Sequence, residues 1–318
     1  MKKQYIFPVI LLALAVTLVA CSPAKKATTT KAATTGPAVK FGSYVDTEGQ
    51  VVGAAIVQLL QANGVNVVDK TKFGTPDVVR KAYVQGDLDG ALDYTGSGAF
   101  YVGPESDPVW SNAAQGYARV KKLDLEKNKI VWLAPAPANN TESIAVTKAF
   151  ATKNNLTTVA DLAAYANGGG KIKLIGGQTW IDRDLGFKGI QKAYGFKLPS
   201  SDIIGLSDGN TAQFIKALAT GKDGVNVAEV YATDGGLADL DLVVLKDPKS
   251  IPPVYNPAPV FRQATITAYP KIPAILAPFI KTLTIENLQK LNKAVAIDGR
   301  DPKTVATEYL TANGLLGK

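Results

Sequence analysis

The chain has 318 residues, 46% of them hydrophobic, with 35 Lys and Arg against 27 Asp and Glu and a formal charge of +8, which is apolar material enough for two lobes with cores of their own. It holds no histidine and one cysteine, and this removes Ser-His and Cys-His nucleophilic machinery, histidine metal sites and any disulfide within the chain. The basic surplus is mild, with no Arg-rich helix and no zinc-finger spacing, so no nucleic acid is expected as a partner; a hydrolase built on two carboxylates stays open, because such enzymes need only acids.

At the start of the chain Lys2 and Lys3 precede an apolar run of about a dozen residues, the length of a signal-peptide core. It is too short for a membrane span. Leu18-Val19-Ala20-Cys21-Ser22 closes it. A small residue before a cysteine at this place has the form of a bacterial lipobox, so residues 1–20 are expected to be a lipoprotein signal peptide and Cys21 the lipid attachment site. The alternative is an ordinary cleaved signal with an incidental cysteine. Residues 21–38 are rich in Ala, Thr, Lys, Pro and Gly and predict a flexible tether. No later stretch runs ~18 residues apolar, and an extracytoplasmic, membrane-anchored location follows.

Beyond the tether, Val39–Ser43 predicts a first strand and Val51–Gln61 a helix, with Asp46 and Thr47 as cap residue types. Val65–Phe73 predicts a second strand. Thr75–Gln85 predicts a helix with Pro76 in its first turn. A short buried strand then ends in Asp93-Tyr94-Thr95-Gly96-Ser97, delivering an aromatic ring to a strand end beside hydroxyls and free backbone N–H groups. In an open α/β sheet that edge is where ligands bind; the plain alternative is a strand–turn–helix connection with a core tyrosine. Val109–Leu125 reads as helix and Ile130–Leu133 as strand. Alternating strands and helices argue for α/β with mainly parallel sheets.

Residues 134–140, rich in Ala and Pro, predict a crossover, and Thr141–Val146 a strand. A short helix over Val159–Ala166, a strand over Lys171–Gly176, a helix through Tyr194, a strand near Ile203 and a capped helix over Asp208–Leu218 follow. Val225–Val230 is a strand delivering Tyr231, then Thr233-Asp234-Gly235, in the same grammar as Tyr94. Two tyrosines at facing strand ends make half of a cation box, because a ring face attracts a cation. Leu242–Leu245 predicts a strand leaving this second lobe, Asp247–Pro259 an extended proline-rich segment and Val260–Ala268 a strand. Ile275–Ala296 shows helical spacing, and Pro302–Leu315 predicts a closing helix. No internal repeat is present.

Three segments together, Asp93–Ser97, Asn139-Asn140-Thr141 and Tyr231–Gly235, resemble the substrate-binding proteins of ABC importers for quaternary amines such as glycine betaine, choline and carnitine. The resemblance covers nearly all of the mature chain. It implies a two-lobed, type II periplasmic-binding-protein-like α/β fold with a two-strand hinge. Lobe 1 would comprise residues 39–138 and 244–318, and lobe 2 residues 139–243. It also implies a non-enzymatic, monomeric protein without cofactor or metal, whose partners are a small cationic or zwitterionic amine and a membrane-embedded ABC permease. The residues carried over as ligand-binding are Tyr94, Thr95, Asn140, Thr141, Glu142, Trp180, Arg183, Tyr231, Thr233 and Asp234, with Tyr101 and Tyr255 as weaker ring candidates.

Two departures bear on the ligand. The family shows Phe-Thr-Glu-Gln where this chain has Asp46-Thr47-Glu48-Gly49, so a glutamine able to reach the ligand is missing or shifted to Gln50. The family often carries a cage tyrosine after Asn-Asn-Thr, where this chain has Glu142. A carboxylate in the cleft favours a bare cation over a zwitterion, and choline or another amine without an acid group is expected over glycine betaine. The alternatives are a Glu142 that points to solvent, a Trp180 that packs in the core, and a ligand that is another amine or an amino-acid-like cation.

Overall fold

A computed structural model describes Met1 and residues 36–207, 211–237 and 239–316. The expected signal peptide beyond Met1, Cys21 and most of the tether lie outside the described residues. In chain order the strands are β1 (Val39–Tyr44), β2 (Val67–Gly74), β3 (Gly90–Tyr94), β4 (Ile130–Trp132), β5 (Glu142–Thr147), β6 (Leu174–Gly177), β7 (Ile203–Leu206), β8 (Val227–Tyr231), β9 (Leu242–Leu245) and β10 (Pro257–Arg262). Among the described residues they build two five-stranded sheets, ordered β2-β1-β3-β10-β4 in lobe 1 and β7-β6-β8-β5-β9 in lobe 2. The two-lobed α/β architecture expected from the sequence is therefore present.

The sheets are mixed, not mainly parallel. β1 runs parallel to β2 and β3, and β6 parallel to β7 and β8. β10 is antiparallel to both its neighbours, and so is β5. These are the strands the chain makes on arriving from the other lobe, so they run against the strands built by local strand–helix units. β9 pairs with β5 over Leu242–Leu245.

Each sheet is covered on both faces, and strand alternation sorts the side chains. In β10, Phe261 joins the core beneath the helices Thr47–Ala62, Ile272–Thr282 and Pro302–Ala312, while Val260 joins the opposite core with Tyr83, Tyr94 and Trp132. In β5, Ile144 packs with Trp180 and Phe187, and Ala145 with Phe214 and Leu218. Full burial of residues such as Phe41, Phe214 and Phe279 is worth roughly 1.5–3 kcal/mol each. The first helix, Thr47–Ala62, starts at Asp46, whose carboxylate accepts the Gly49 N–H at 2.6 Å. That cap fixes Glu48 in the first turn, at the edge of the sheet.

Three elements differ from the sequence reading. The strand expected over Val260–Ala268 stops at Arg262, where its N–H goes to Asp89, and Gln263–Ala268 is helical. Short alternating runs cannot separate the two states by period alone. The helical stretch Ile275–Ala296 is two helices, Ile272–Thr282 and Ile285–Ala296, the second capped by Thr284 on the Asn287 N–H. A helix over Lys148–Asn154, between β5 and the short helix that follows, has no counterpart among the elements expected from sequence.

The chain crosses between lobes at residues 133–141 and 246–256. The Asn140 N–H donates to the Tyr255 carbonyl at 2.8 Å, the Asn256 amide to the Ala138 carbonyl at 2.7 Å, and the Thr141 hydroxyl to the Pro253 carbonyl at 2.9 Å. Pro135, Pro137, Pro252 and Pro253 have no N–H to give a ladder. The hinge is thus two extended segments laced together, and not two paired strands. No helix among the described residues is long and apolar enough to cross a membrane.

Candidate functional site

β3 ends at Tyr94 and β8 ends at Tyr231. The turn after Tyr94 is a 3-10 turn over Thr95–Ser97. Gly96 is required there, since a Cβ on it would lie 2.8 Å from the Tyr255 ring, which rests against the turn. Tyr94 is only 6% exposed and packs 5.7 Å from Tyr44. Tyr231 is half-buried and stands directly across the strand pair from Glu142. Tyr101, half-buried, packs in the lobe 1 core cluster, with the Arg80 guanidinium carbon 4.4 Å from its ring centroid.

Glu142 does not point to solvent. It is buried and forms an ion pair with Arg183. Burial pushes the Glu142 carboxyl up from its ordinary value, and the Arg183 charge pulls it back. Burial penalises the guanidinium most, but the charge and hydrogen bond of Glu142 together with Tyr255 and Tyr231 outweigh it and hold Arg183 protonated. Arg183 is on lobe 2, yet its guanidinium carbon lies 4.9 Å from the centroid of the Phe100 ring of lobe 1. A cation of the protein itself therefore sits against a ring face where the lobes meet. The Arg183 Nε is buried with no hydrogen-bond partner. Below the pair lies Glu229, buried on β8, its Oε2 accepting the Gly177 N–H at 2.6 Å. Burial, then the charge of Glu142, pushes Glu229 well up from the usual carboxylate range, so it favours its neutral form.

A second cluster joins the lobes through Glu48. Its Oε1 accepts from the Tyr94 hydroxyl at 2.9 Å and the Asn140 amide at 3.2 Å. Its Oε2 lies 2.5 Å from the Thr233 hydroxyl and accepts from the Asn292 amide at 2.9 Å. Tyr94 and Asn292 belong to lobe 1, Thr233 to lobe 2 and Asn140 to the first crossover. Burial raises Glu48 to about 7, against the pull of the Asn292 and Tyr94 donors toward its charged form.

Several residues carried over as ligand-binding are spent on the scaffold. Thr95 donates to the Val254 carbonyl and accepts the Asn256 N–H. Thr141 bonds Asn139 and Pro253. Asp234 accepts the Tyr231 N–H at 2.7 Å and the Thr211 hydroxyl at 2.9 Å, which fixes the end of β8; burial raises it to about 7. Trp180 is 2% exposed and lies in the lobe 2 core, 5.2 Å from Phe187, so the structure puts it among core rings. Asp93 also holds tyrosines in place, accepting from Tyr44 at 2.7 Å and Tyr83 at 2.6 Å.

Where the lobes meet, the Glu142–Arg183 pair lies against Phe100 with Tyr231 and Tyr255 as electrostatic neighbours and Glu229 behind it, while Tyr94, ringed by the lobe 1 core, reaches the interface through its hydroxyl on Glu48. Ring faces and carboxylates can hold a positive charge without needing an N–H on it. Among the described residues no group of three His, Cys, Asp or Glu could hold a metal ion. Sequence reading missed Phe100, Glu229 and Asn292 as residues at this meeting of the lobes. Glu48 carried a signal, as part of the Thr47-Glu48 pair kept from the family pattern.

Residues 37–312 match the family model for the substrate-binding domain of ABC-type glycine betaine transport systems. The chain is 46% identical over 276 residues to the glycine betaine-binding protein YehZ of Escherichia coli, covering 87% of this chain and 90% of that protein. It is 31% identical to a glycine-betaine-binding protein of Pseudomonas aeruginosa, over 87% of this chain and 88% of that one. The solved structure of apo YehZ from Escherichia coli superposes with a TM-score of 0.71, over 87% of this chain and 99% of that chain.

Proposed function

This chain belongs to the family of substrate-binding domains of ABC-type glycine betaine transport systems, and from that premise we propose that it captures a quaternary amine in a cage of Tyr94, Tyr231, Tyr255 and Phe100 between its lobes. The protein is a binding protein and not an enzyme, as its relatives are. The observation that carries the cage is the Arg183 guanidinium, a cation seated between the Phe100 ring and the Glu142 carboxylate. A place that already stabilises one buried cation supports a reading in which a ligand's trimethylammonium is held by the same faces, each well-placed ring contributing roughly 1–2 kcal/mol once desolvated.

The Glu142–Arg183 pair changes the expected ligand. Glu142 alone would favour an amine without an acid group. Paired, it offers one anionic and one cationic partner, which suits a zwitterion whose ammonium faces Glu142 and the rings and whose carboxylate faces Arg183. Glycine betaine fits that arrangement, and it is what the Escherichia coli and Pseudomonas aeruginosa relatives are named for. The mechanism is hinged closure: the ligand enters an open cleft, both lobes contact it, and the closed form presents its surface to the permease. Lipid attachment at Cys21 would keep the receptor at the membrane beside that permease.

Calorimetric titration with glycine betaine, choline, carnitine and a primary-amine control tests this. Saturable one-to-one binding of the quaternary amines is expected, with glycine betaine ahead of choline. Binding of the primary amine alone would overturn the cage and leave only the fold.

A further inference from the structure

Glu48 stands behind the cage. Its carboxylate touches groups from both lobes and from the crossover, and one of them is the hydroxyl of the cage residue Tyr94. The loop that brings Thr233 is docked on the lobe 1 helix Ile285–Ala296 at further points. Asn292 donates to the Thr233 carbonyl at 2.8 Å, and Gln289 to the Ala232 carbonyl at 2.9 Å. Building on the quaternary-amine reading above, we propose that Glu48 is a positioning residue for ligand capture: it latches lobe 2 to lobe 1 through Thr233 and with the same carboxylate holds Tyr94 in its place in the cage.

The protons available give the latch its chemistry. The Asn140 amide N–H points to Glu48 Oε1, which turns the Asn140 carbonyl oxygen toward Thr233 Oγ1, 2.7 Å away. That oxygen can only accept. Thr233 has one hydroxyl proton and faces two acceptors, Asn140 Oδ1 at 2.7 Å and Glu48 Oε2 at 2.5 Å. Both contacts are hydrogen bonds only when Thr233 donates to Asn140 and a protonated Glu48 donates to Thr233. With Glu48 ionised, one of the two contacts sets oxygen against oxygen without a proton between them. The closed arrangement therefore holds one proton on Glu48, and burial of the carboxyl favours the same form.

The direction of the pH effect follows. Opening exposes Glu48 to water, where a carboxyl titrates near ~4.3. Closed, it titrates at about 7. Closure takes up a proton between those values, so the latch is strongest at the acid end and weakens as pH rises through 7. Other groups face the same cluster. Asp46 lies on the same turn, and Asp234 faces Glu48 from lobe 2 and is itself raised to about 7. Asn140 and Asn292 are neutral, and Tyr94 is pushed up by burial and by Glu48. Asp46, also raised by burial, and Asp234 could both imitate the effect, as could the raised carboxyls of Glu142 and Glu229, and each needs its own control.

The test measures the distance between the lobes with paired labels at the exposed positions Asp77 and Lys153, from pH 5 to 8, together with affinity for glycine betaine. Wild type should open progressively as pH rises. Glu48→Gln keeps a donor toward Thr233 and acceptors toward Tyr94 and Asn140 but loses the acceptor for the Asn292 amide, so it should be somewhat more open than wild type at pH 5, with a flat pH profile. Glu48→Ala should be open throughout and bind about tenfold more weakly or worse. Asp46→Asn, Asp234→Asn, Glu142→Gln and Glu229→Gln should each retain the pH slope. A Glu48→Gln variant that follows the wild-type curve, a Glu48→Ala variant with unchanged spacing and affinity, or loss of the slope in any of the other four variants would each overturn the latch. Should wild type bind no quaternary amine, the ligand reading fails, while the unliganded lobe distances still decide for or against Glu48.

Discussion

Arg183 of lobe 2 lies over the ring of Phe100 of lobe 1, 4.9 Å from its centroid, while its charge is answered by Glu142 on its own lobe. Ligand choice should turn on that pair. Glu142→Gln frees the guanidinium for a ligand carboxylate and should shift preference toward glycine betaine over choline. Arg183→Gln leaves Glu142 unanswered and should shift it toward choline. A charge pair at ~4 Å and an effective dielectric near 20 is worth about 4 kcal/mol before desolvation. Net effects should be nearer 1–2 kcal/mol, about tenfold in the ratio of affinities. Titrating both ligands into both variants checks it, and ratios that move in the same direction would remove the pair from the site.

The two cage tyrosines should behave differently. Tyr231 is half-buried at a strand end, so Tyr231→Ala should cost roughly 1–2 kcal/mol of binding and little folding stability. Tyr94 is buried, packs on Tyr44 and bonds Glu48, so Tyr94→Ala should cost about 3–5 kcal/mol of stability as well. Tyr94→Phe keeps the ring and removes only the hydroxyl, at about 1 kcal/mol. Denaturant unfolding alongside calorimetry separates the effects. Equal stability losses at the two positions would contradict this assignment of cleft wall and core.

The strand ends at Tyr94 and Tyr231 are legible in the sequence because alternation and glycine turns are local signals. So is the cap at Asp46. The roles of the polar residues are not. Thr95, Thr141 and Thr233 stand in motifs shared with ligand-binding relatives, yet their hydroxyls are consumed by the crossovers and by Glu48, partners distant in sequence. Asn292 reaches Glu48 across 244 positions, and no window of sequence contains both. Glu142 stands in the sequence as a lone charge because its neutralising partner, Arg183, is 41 residues away. Trp180 stands in the sequence as a ring candidate for the ligand, but Gln178–Asp182 folds into a short helix that turns the indole into the core.

Cys21 lies beyond the described residues, and its test is chemical. Cys21→Ser should move the protein from the membrane fraction to the soluble fraction in its native host, without changing the melting temperature of the two lobes. Mass spectrometry of the native protein should show an acylated Cys21 at the mature N-terminus. An unmodified cysteine there would mean that the run ending at Ala20 is an ordinary signal and that the receptor is free.

The last expectation concerns another place where the lobes touch. Gly235 follows Thr233 and lies on the backbone of Asn292 and Lys293, in the lobe 1 helix Ile285–Ala296, so closely that a Cβ there would collide with both residues. Backbone cannot swing aside as a side chain can, so Gly235→Ala should lift the loop from the helix. The first interactions to break would be the bond from Asn292 to the Thr233 carbonyl, the bond from Gln289 to the Ala232 carbonyl and the exposed Lys293–Asp239 ion pair. The ion pair matters little in water. The two amide bonds are worth about 1 kcal/mol each, so the closed form should lose about 2 kcal/mol against the open one, some thirtyfold in population. Each lobe keeps its own core, and unfolding should be nearly unaffected. Small-angle scattering of the unliganded variant should give a larger radius of gyration than wild type, with glycine betaine binding weakened in the same proportion. A variant as compact as wild type, binding as tightly, would show that this loop can settle on the helix in another way and that closure does not depend on Gly235.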